Sequence, residues 1–378
     1  MEKVIEALRV SGFFFYKALW SVLFGVAVTA AIDVFVDKEK MAHLLGGRDV
    51  KTTALAAGLG AASSSCTFGS VAIGQSLFKK GASAESTFAF ALASTNIVFE
   101  LAILIAVLLG WAFFGAELIA GVLLVVIMYL LVRLTLPTRV FEEARRKLQR
   151  EEKEETPGPE GGASRPGTVE QLGQRATWVR IASRYFATLK RIYKTVMVGF
   201  LISGFIIVLV PAAFWSALFV RPTSFLGILE NSAVGVLVGV FSFIGSIGIV
   251  PFAAALWLGG VGFAAVVGCI VSDNITVPVL DVWRRYYGGK ATAYIFAVFF
   301  AAMVGSSVLV QYLFQVLGWI PPHPRAAALL SAPFRLDYTF FLTAAFAALT
   351  VALWVVKGWG SSGKSALTSG PGQIREGQ

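Results

Sequence analysis

The chain has 378 residues, of which 57% are hydrophobic and only 14% charged, and its formal net charge is +10. Soluble domains carry about 25% charged residues, so this composition cannot supply a water-compatible surface and excludes an ordinary soluble protein. The basic excess is typical of membrane proteins, whose cytoplasmic segments face anionic lipid, and it does not indicate a nucleic-acid partner.

Nine apolar segments are predicted to form membrane helices, since each reaches about 18 residues or more. They lie at 12–35, 53–77, 86–110, 114–136, 193–217, 231–257, 261–282, 291–318 and 338–357. The predicted fold class is therefore all-α, a polytopic helical membrane protein with two repeated four-helix halves, broken helices and one extra C-terminal helix. The N-terminus lacks a compact apolar core followed by a cleavage site, so the first helix is expected to remain.

A hydrophilic loop is predicted to separate the two membrane halves. It begins with a charged stretch of helical spacing and continues with a Pro-, Gly- and Ser-rich segment typical of a flexible linker. We interpret it as a cytoplasmic tether, with a partner-docking site at 139–178 as the alternative. The predicted division is a first repeat at 1–138, the loop at 139–190, a second repeat at 191–320, a loop with the last helix at 321–357, and a disordered tail at 358–378.

The distribution of Lys and Arg predicts the orientation of the chain. Basic residues concentrate in 139–194, which should therefore be cytoplasmic. With four spans before this region, the N-terminus is also expected inside, together with Lys79 and Lys80. Arg284 and Arg285 do not fit, because nine crossings would place them outside. Either they violate the rule, or a broken segment in the second half turns back without crossing.

The two halves share an ordered pattern of glycine, apolar and polar residues. Residues 66–81, CTFGSVAIGQSLFKKG, match residues 245–260, GSIGIVPFAAALWLGG, at an offset of 179, and STN at 94–96 matches SDN at 272–274 at an offset of 178. The pattern predicts a duplicated unit, in parallel or inverted orientation. Glycine-interrupted spans at matching places indicate a midplane site in secondary transporters. The predicted break residues are Gly69, Gly81, Gly245, Gly248, Pro251 and Gly260.

Small polar residues at these breaks are the predicted substrate-binding side chains. Backbone that leaves helical geometry at membrane depth must be buried in protein or must line a polar cavity. Such residues could instead bond to their own helix, and the two Asn residues could bond to each other across the repeat axis. The candidates are Ser64, Ser65, Cys66, Thr67, Ser94, Asn96, Ser272, Asp273 and Asn274.

Two carboxyl groups are predicted coupling residues, because an ionisable residue inside a span is a functional candidate by default. They are Asp273 and Glu100, and either could carry a proton or pair with a cation. No metal and no cofactor is expected, because the two cysteines and two histidines lack the spacing of a metal centre. Three other carboxyl residues lie near predicted span ends and are expected to be interfacial: Asp33, Glu117 and Asp281.

Two stretches resemble the predicted-permease family of bacteria and archaea that includes the organoarsenical efflux permeases. They are SSCTFGSVAIGQSLFKKG at 64–81 and GSIGIVPFAAALWLGGVGFAAVVGCIVSDNITVPVLDVWRRYYGG at 245–289. The resemblance implies efflux of a small solute or metalloid compound across the inner (cytoplasmic) membrane. The family's first cysteine of a pair falls at Ser64 or Ser65, which leaves Cys66 alone. A trivalent arsenical prefers two or three thiolates, so this departure weakens the expectation of an arsenical substrate but not of a permease.

We therefore expect a secondary transporter whose partners are a small substrate and the lipid bilayer, with a homo-oligomer or a partner subunit as further options. An ion or solute channel lined by the same broken helices is one alternative. A membrane subunit of a larger permease complex is another. An enzyme is not expected, because the sequence contains no HExxH or GxSxG pattern.

Overall fold

A computed structural model describes residues 2–35, 45–63, 67–154, 175–210, 214, 217–220, 224–242, 246–323 and 338–365. The structure is 89% helical and has no strand within these ranges, which confirms the all-α prediction. Several predicted features lie outside the described residues: Ser64, Ser65, Cys66, Gly245, the side chain of Asp33, the linker after residue 154 and most of the tail.

Fourteen α-helices and one 3₁₀ turn follow one another in the described residues. The first half contains α1 Glu2–Phe35, α2 Val50–Ser63, α3 Thr67–Lys79, α4 Ala84–Asn96, α5 Phe99–Leu108, α6 Trp111–Thr135 and α7 Thr138–Glu154. The second contains α8 Arg175–Leu209, α9 Phe225–Phe241, α10 Ser246–Leu258, α11 Phe263–Ile270, the 3₁₀ turn Val271–Ile275, α12 Val277–Tyr287 and α13 Gly289–Leu317, and α14 Tyr338–Ser365 follows.

Five segments are long and apolar enough to cross a membrane, as a polytopic membrane protein requires. They are Ala84–Leu108, Trp111–Thr135, Phe263–Tyr287, Gly289–Leu317 and Phe340–Gly358. Two of them, α4 with α5 and α11 with α12, are helices broken near their middle, at positions other than the predicted break residues.

The helices of the two halves begin at matching positions. α3 and α4 begin 179 residues before α10 and α11, and α5 and α6 begin 178 residues before α12 and α13. The tight turns match as well, because Gly81 and Gly260 have φ angles of 112° and 89°. That backbone region favours glycine over residues with a side chain. These correspondences support the predicted duplication.

α2 and α3 form a hairpin that begins and ends at one end of the molecule. The Ser83 amide after α3 donates to the Leu45 carbonyl before α2 at 3.1 Å, and the Ser86 hydroxyl donates to the Gly47 carbonyl at 3.3 Å. Each helix is only about 20 Å long, too short for a hydrocarbon core of about 30 Å. The segment predicted to span at 53–77 therefore enters and turns back instead of crossing.

α9 and α10 form the corresponding hairpin at the other end. α6 and α13 are antiparallel neighbours, because Thr135 at the end of α6 bonds to Tyr294 at the start of α13 at 2.9 Å. At their other ends, Phe113 packs on Trp257 of α10 at 5.0 Å between ring centroids, and Tyr312 stacks on Phe225 of α9 at 6.4 Å. The two hairpins thus enter from opposite ends, so the halves are inverted relative to each other.

The position of Arg284 and Arg285 follows from this arrangement. Tyr287, in the same helix turn, packs against Phe78 of α3 at 5.2 Å between ring centroids. These arginines therefore lie at the same end as Lys79, and we call this the basic end. Of the two explanations left open by the sequence, the second holds, because the α9–α10 hairpin turns back without crossing.

The N-terminus lies at the opposite end, which corrects the expectation from counting four spans. Ser11 of α1 donates to the Leu201 carbonyl of α8 at 3.3 Å, and a Cβ on Gly204 would meet the Ala7 carbonyl. α1 and α8 are therefore antiparallel. α8 leads to Val220, whose amide bonds to Asn231 of α9 at the opposite end. The count failed because the α2–α3 hairpin is not a crossing.

The broken helices occupy the centre of the molecule. All residues of α4, α11 and the 3₁₀ turn are buried. A Cβ on Gly60 of α2 would overlap the Phe90 carbonyl of α4, and one on Gly239 of α9 would meet the Cys269 carbonyl of α11 at 2.8 Å. Because glycine allows the backbones to touch, each hairpin lies directly against the broken helix of its own half.

α7, the first part of the loop between the halves, packs across the basic end. Phe141 is buried against Phe78 at 6.2 Å between ring centroids. The Arg145 guanidinium donates to the Ala82 carbonyl at 2.6 Å and lies 4.2 Å from the Phe78 centroid. Burial lowers the pKa of Arg145 from its ordinary value, although an arginine stays charged at neutral pH. This internal packing supports a tether more than a docking surface.

The hairpins predict which residues share a side of the membrane. In a Cys66→Ser, Cys269→Ser background, cysteines at Lys80 and Arg285 should react with a membrane-impermeant maleimide from one side, and a cysteine at Trp319 from the other. All three positions are exposed. Labelling of intact cells and of inverted vesicles measures this. If Arg285→Cys and Trp319→Cys reacted from the same side, the assignment of α9 and α10 as a hairpin that does not cross the membrane would be contradicted.

Candidate functional site

The carboxylate of Asp273 is 2% exposed and is surrounded by donors from both halves. The Ser246 hydroxyl donates to Oδ2 at 2.6 Å, and the Thr67 hydroxyl lies 3.0 Å from the same oxygen. Asn274 Nδ2 donates to Oδ1 at 3.0 Å, and the Thr95 hydroxyl lies 3.4 Å from it. Hydrogen bonds of this kind stabilise a charged carboxylate in a protein interior, where an unpaired one would be costly.

Two helix N-termini converge on this carboxylate. Thr67 is the first residue of α3, and Ser246 is the first residue of α10. The positive end of each helix dipole therefore faces Asp273. Asp273 itself lies in the 3₁₀ turn between α11 and α12, and Pro278 lies in the first turn of α12. Because proline lacks a backbone donor, it favours a helix start there and separates α12 from the turn.

Residues at equivalent positions of the two halves touch each other here. Thr67 contacts Ser246 at 2.5 Å, and these residues are 179 positions apart. Thr95 contacts Asp273, which is 178 positions later. Equivalent residues of two related units meet only near the axis that relates them. The contacts support an inverted duplication whose axis passes through the site.

The two asparagines do not bond to each other but share one hydroxyl. Nδ2 of Asn96 and Nδ2 of Asn274 donate to Thr95 Oγ1 at 3.1 and 2.6 Å. The Oδ1 atom of each amide is buried, and neither has a hydrogen-bond partner among the described residues. Buried amide oxygens are rarely left unpaired, so these two acceptors are open to a ligand. We call the following residues the polar cluster: Thr67, Thr95, Asn96, Ser246, Asp273 and Asn274.

The remaining candidates lie beside the polar cluster or further away. The Ser94 hydroxyl donates to the Ala91 carbonyl at 3.0 Å, and the Ser272 hydroxyl donates to the Cys269 carbonyl at 2.7 Å. Both therefore bond to backbone three residues earlier, which is the alternative to substrate binding that the sequence left open. Glu100 is partly exposed in the first turn of α5.

The predicted break residues divide into two groups. Gly81 and Gly260 form turns, whereas three lie inside α3 and α10: Gly69, Gly248 and Pro251.

Two members of the polar cluster were not among the predicted site residues. Ser246 is the repeat equivalent of Thr67, and Thr95 is the equivalent of Asp273 at the offset of 178. Applying the repeat offset to each candidate would have found both. Their own residue types gave no other signal, because Ser and Thr are common in membrane helices.

Aromatic side chains close the polar cluster toward both ends of the molecule. Toward the opposite end, four buried rings pack together: Phe113, Trp257, Phe263 and Phe314. Toward the basic end, six buried rings do so: Phe78, Phe88, Phe141, Trp283, Tyr287 and Phe299. We call these the opposite-end and basic-end aromatic layers. The Trp283 indole donates to the Asn274 carbonyl at 3.2 Å and so joins one layer to the cluster.

Comparisons with known proteins agree with a membrane permease. The sequence profile ArsP_1, described as a predicted permease, matches residues 4–315. The chain is 33% identical over 329 residues to Rv2963 of Mycobacterium tuberculosis, which is named as a candidate permease, and the match covers 85% of this chain and 80% of that protein. No solved structure matches the chain. The matched region includes both hairpins and every residue of the polar cluster, and the chain belongs to the ArsP_1 family of predicted permeases.

Proposed function

We propose that the chain is a secondary permease that exports a small solute, with the polar cluster as its substrate site. One observation carries this proposal: the buried Asp273 carboxylate is held by Ser246 of its own half and by Thr67 of the other. In secondary transporters, half-helices that end at midplane present their N-termini to a site between inverted repeats. Family membership supports a transporter rather than an enzyme.

The chemistry of the polar cluster suggests the class of substrate. Asp273 already engages the hydroxyl donors, so the groups left for a ligand are the acceptor oxygens of Asn96 and Asn274. A neutral solute that carries hydroxyl groups would satisfy them. Cys66 directly precedes Thr67 in sequence and adds one soft thiol. A hydroxylated trivalent metalloid compound, such as a methylated arsenical, would use the two acceptors and this thiol, although one thiol is fewer than the two or three such compounds prefer.

The two aromatic layers favour a carrier over a channel. Both are closed at once in this structure, and no member of either layer is more than 4% exposed. A continuous pore would need both layers open, whereas alternating access needs only one at a time. Opening at one end would separate the halves where Thr67 meets Ser246, by movement of one half against the other.

The family resemblance supports export as the direction of transport, and the charge distribution supports the orientation of the chain. The basic end carries Lys79, Arg145, Arg284 and Arg285, which the positive-inside rule places in the cytoplasm. Export from the inner membrane would then carry substrate from the basic-end aromatic layer toward the opposite-end layer. The N-terminus would lie outside the cytoplasm.

Growth inhibition tests the proposed substrate class. A host lacking its own exporters should tolerate methylated trivalent arsenicals better when it expresses this chain, across a panel that includes inorganic arsenite and antimonite. Asp273→Asn should lower export by about tenfold or more, because replacing a charged acceptor of several hydrogen bonds costs about 1.5–3 kcal/mol for each bond lost. Cys66→Ser measures the contribution of the thiol.

The matched control is Ser306→Ala, a buried serine of α13 whose hydroxyl bonds only within its own helix. It should retain full resistance at equal membrane abundance. Equal resistance with Asp273→Asn and with wild type would contradict the assignment of the site. No resistance to any compound of the panel would contradict the metalloid class.

A cross-link tests the contact between the halves. In the Cys66→Ser, Cys269→Ser background, the pair Thr67→Cys and Ser246→Cys should form a disulfide under mild oxidation, because the hydroxyl oxygens of the native residues are 2.5 Å apart. A protease site placed between 156 and 173 then allows the halves to be separated by electrophoresis.

The two fragments should migrate together without reductant and apart with it. Thr67→Cys paired with Ser306→Cys should give separate fragments in both conditions. Separate fragments from the Thr67–Ser246 pair, even under strong oxidation, would mean that the halves do not meet at these helix N-termini.

A further inference from the structure

Glu117 is a buried carboxyl group that the site described above does not use. It lies in α6, is 1% exposed, and neither carboxyl oxygen has a hydrogen-bond partner among the described residues. The sequence placed it at an interface because it is close to a predicted span end. That expectation is wrong, because the side chain faces the interior of the molecule.

The neighbours of Glu117 along α6 fix where it faces. One turn before it, Phe113 belongs to the opposite-end aromatic layer. One turn after it, Gly121 lies against the break of the first half, where an added Cβ would meet the Asn96 carbonyl at 3.3 Å. Residues four apart share a helix face. Glu117 therefore lies between the opposite-end layer and the polar cluster, where it interacts electrostatically with Asp273.

The two carboxyl groups have opposite surroundings. Asp273 is within reach of four donors, which stabilise its charged form. Glu117 has none among the described residues, and burial without donors strongly disfavours an ionised carboxylate. Two like charges in one buried space add repulsion. These surroundings favour the charged form of Asp273 and the protonated form of Glu117.

In the described ranges, no basic side chain lies close enough to pair with an ionised Glu117. α6 packs against α4, α5, α11, the 3₁₀ turn and α13. Arg133 of α6 itself lies about 24 Å away along the helix axis, at the basic end. The titratable residues on the packed elements are Glu85, Glu100, Cys269, Asp273, Lys290, Tyr294 and Tyr312. Asp273 is the member of this set that interacts electrostatically with Glu117.

We propose that Glu117 is the proton carrier of this permease and that Asp273 is the fixed charge that it controls. This proposal rests on the permease function proposed above. Opening of the opposite-end aromatic layer exposes Glu117 to the outside, where it takes up one proton. Opening of the basic-end layer lets the proton leave toward the cytoplasm. One proton enters for each solute exported, and no other bond changes.

Loss of the proton from Glu117 also links its charge to the separation of the two halves. With Glu117 ionised, repulsion acts on Asp273, whose hydrogen bonds to Thr67 and Ser246 connect the two halves. Weakening these bonds favours separation of the hairpins. The polar cluster is thereby less stable when the proton is absent, which couples proton binding to the closed state.

Infrared titration of the purified full-length protein tests the proton directly and needs no substrate. Wild type at pH 7 should show the carbonyl band of a protonated carboxyl group, and Glu117→Gln should lack that component. Glu85→Gln is a necessary comparison, because Glu85 is also buried. Ser232→Ala is the matched control, since its hydroxyl is likewise buried and without a partner in the described part of the chain. A difference spectrum without a protonated-carboxyl component for Glu117 would overturn the proposal.

Flux through proteoliposomes tests the coupling, with methylarsenite as the probe. An imposed pH gradient should accelerate wild-type and Ser232→Ala flux by about tenfold, within the usual range of coupling between two sites, and should leave Glu117→Gln unchanged. Glu117→Asp should restore part of the response. Replacing Na⁺ by choline should have no effect, and a Na⁺-dependent response would overturn the proposal. If wild type moves no methylarsenite, the substrate class fails, whereas the infrared result still decides on Glu117.

Discussion

The carboxylate of Asp273 is the contact on which the arrangement of the two halves depends. A negative charge at this depth is tolerated only if donors replace the lost water, and its own half supplies only some of them. Thr67 and Thr95 of the first half supply the others, with the positive end of α3. The charge therefore holds the halves together, and any change in that charge weakens their connection.

The short hairpin helices are what allow this contact to form. A continuous helix has its N-terminus at the membrane surface, so only a helix that begins at midplane can present a free N-terminus to a buried carboxylate. α3 and α10 are each only about 20 Å long, and their N-termini meet inside the molecule at Asp273. Opposite entry of the two hairpins then follows from the inverted repeat. It also brings Arg284 to the basic end.

The sequence predicted the class of fold, the repeat offset and much of the polar cluster, because glycine and polar residues in apolar segments are visible without a structure. It could not separate a hairpin from a span at 53–77, since both are apolar over the same length. It also misjudged Glu117, because distance from a span end does not reveal which way a helix face turns. Only packing against Gly121 and Phe113 defines that face.

In the proposed mechanism Asp273 carries the charge and Glu117 carries the proton, because only Asp273 is surrounded by hydrogen-bond donors. Asp273 cannot take up a proton without weakening its bonds to Ser246 and Thr67, whereas Glu117 has no such bonds to lose. Both groups are buried, so in the proposed cycle a proton exchanges only when one aromatic layer opens. In the proposed mechanism coupling needs no long pathway, because Glu117, the polar cluster and the contact between the halves all lie between the two aromatic layers.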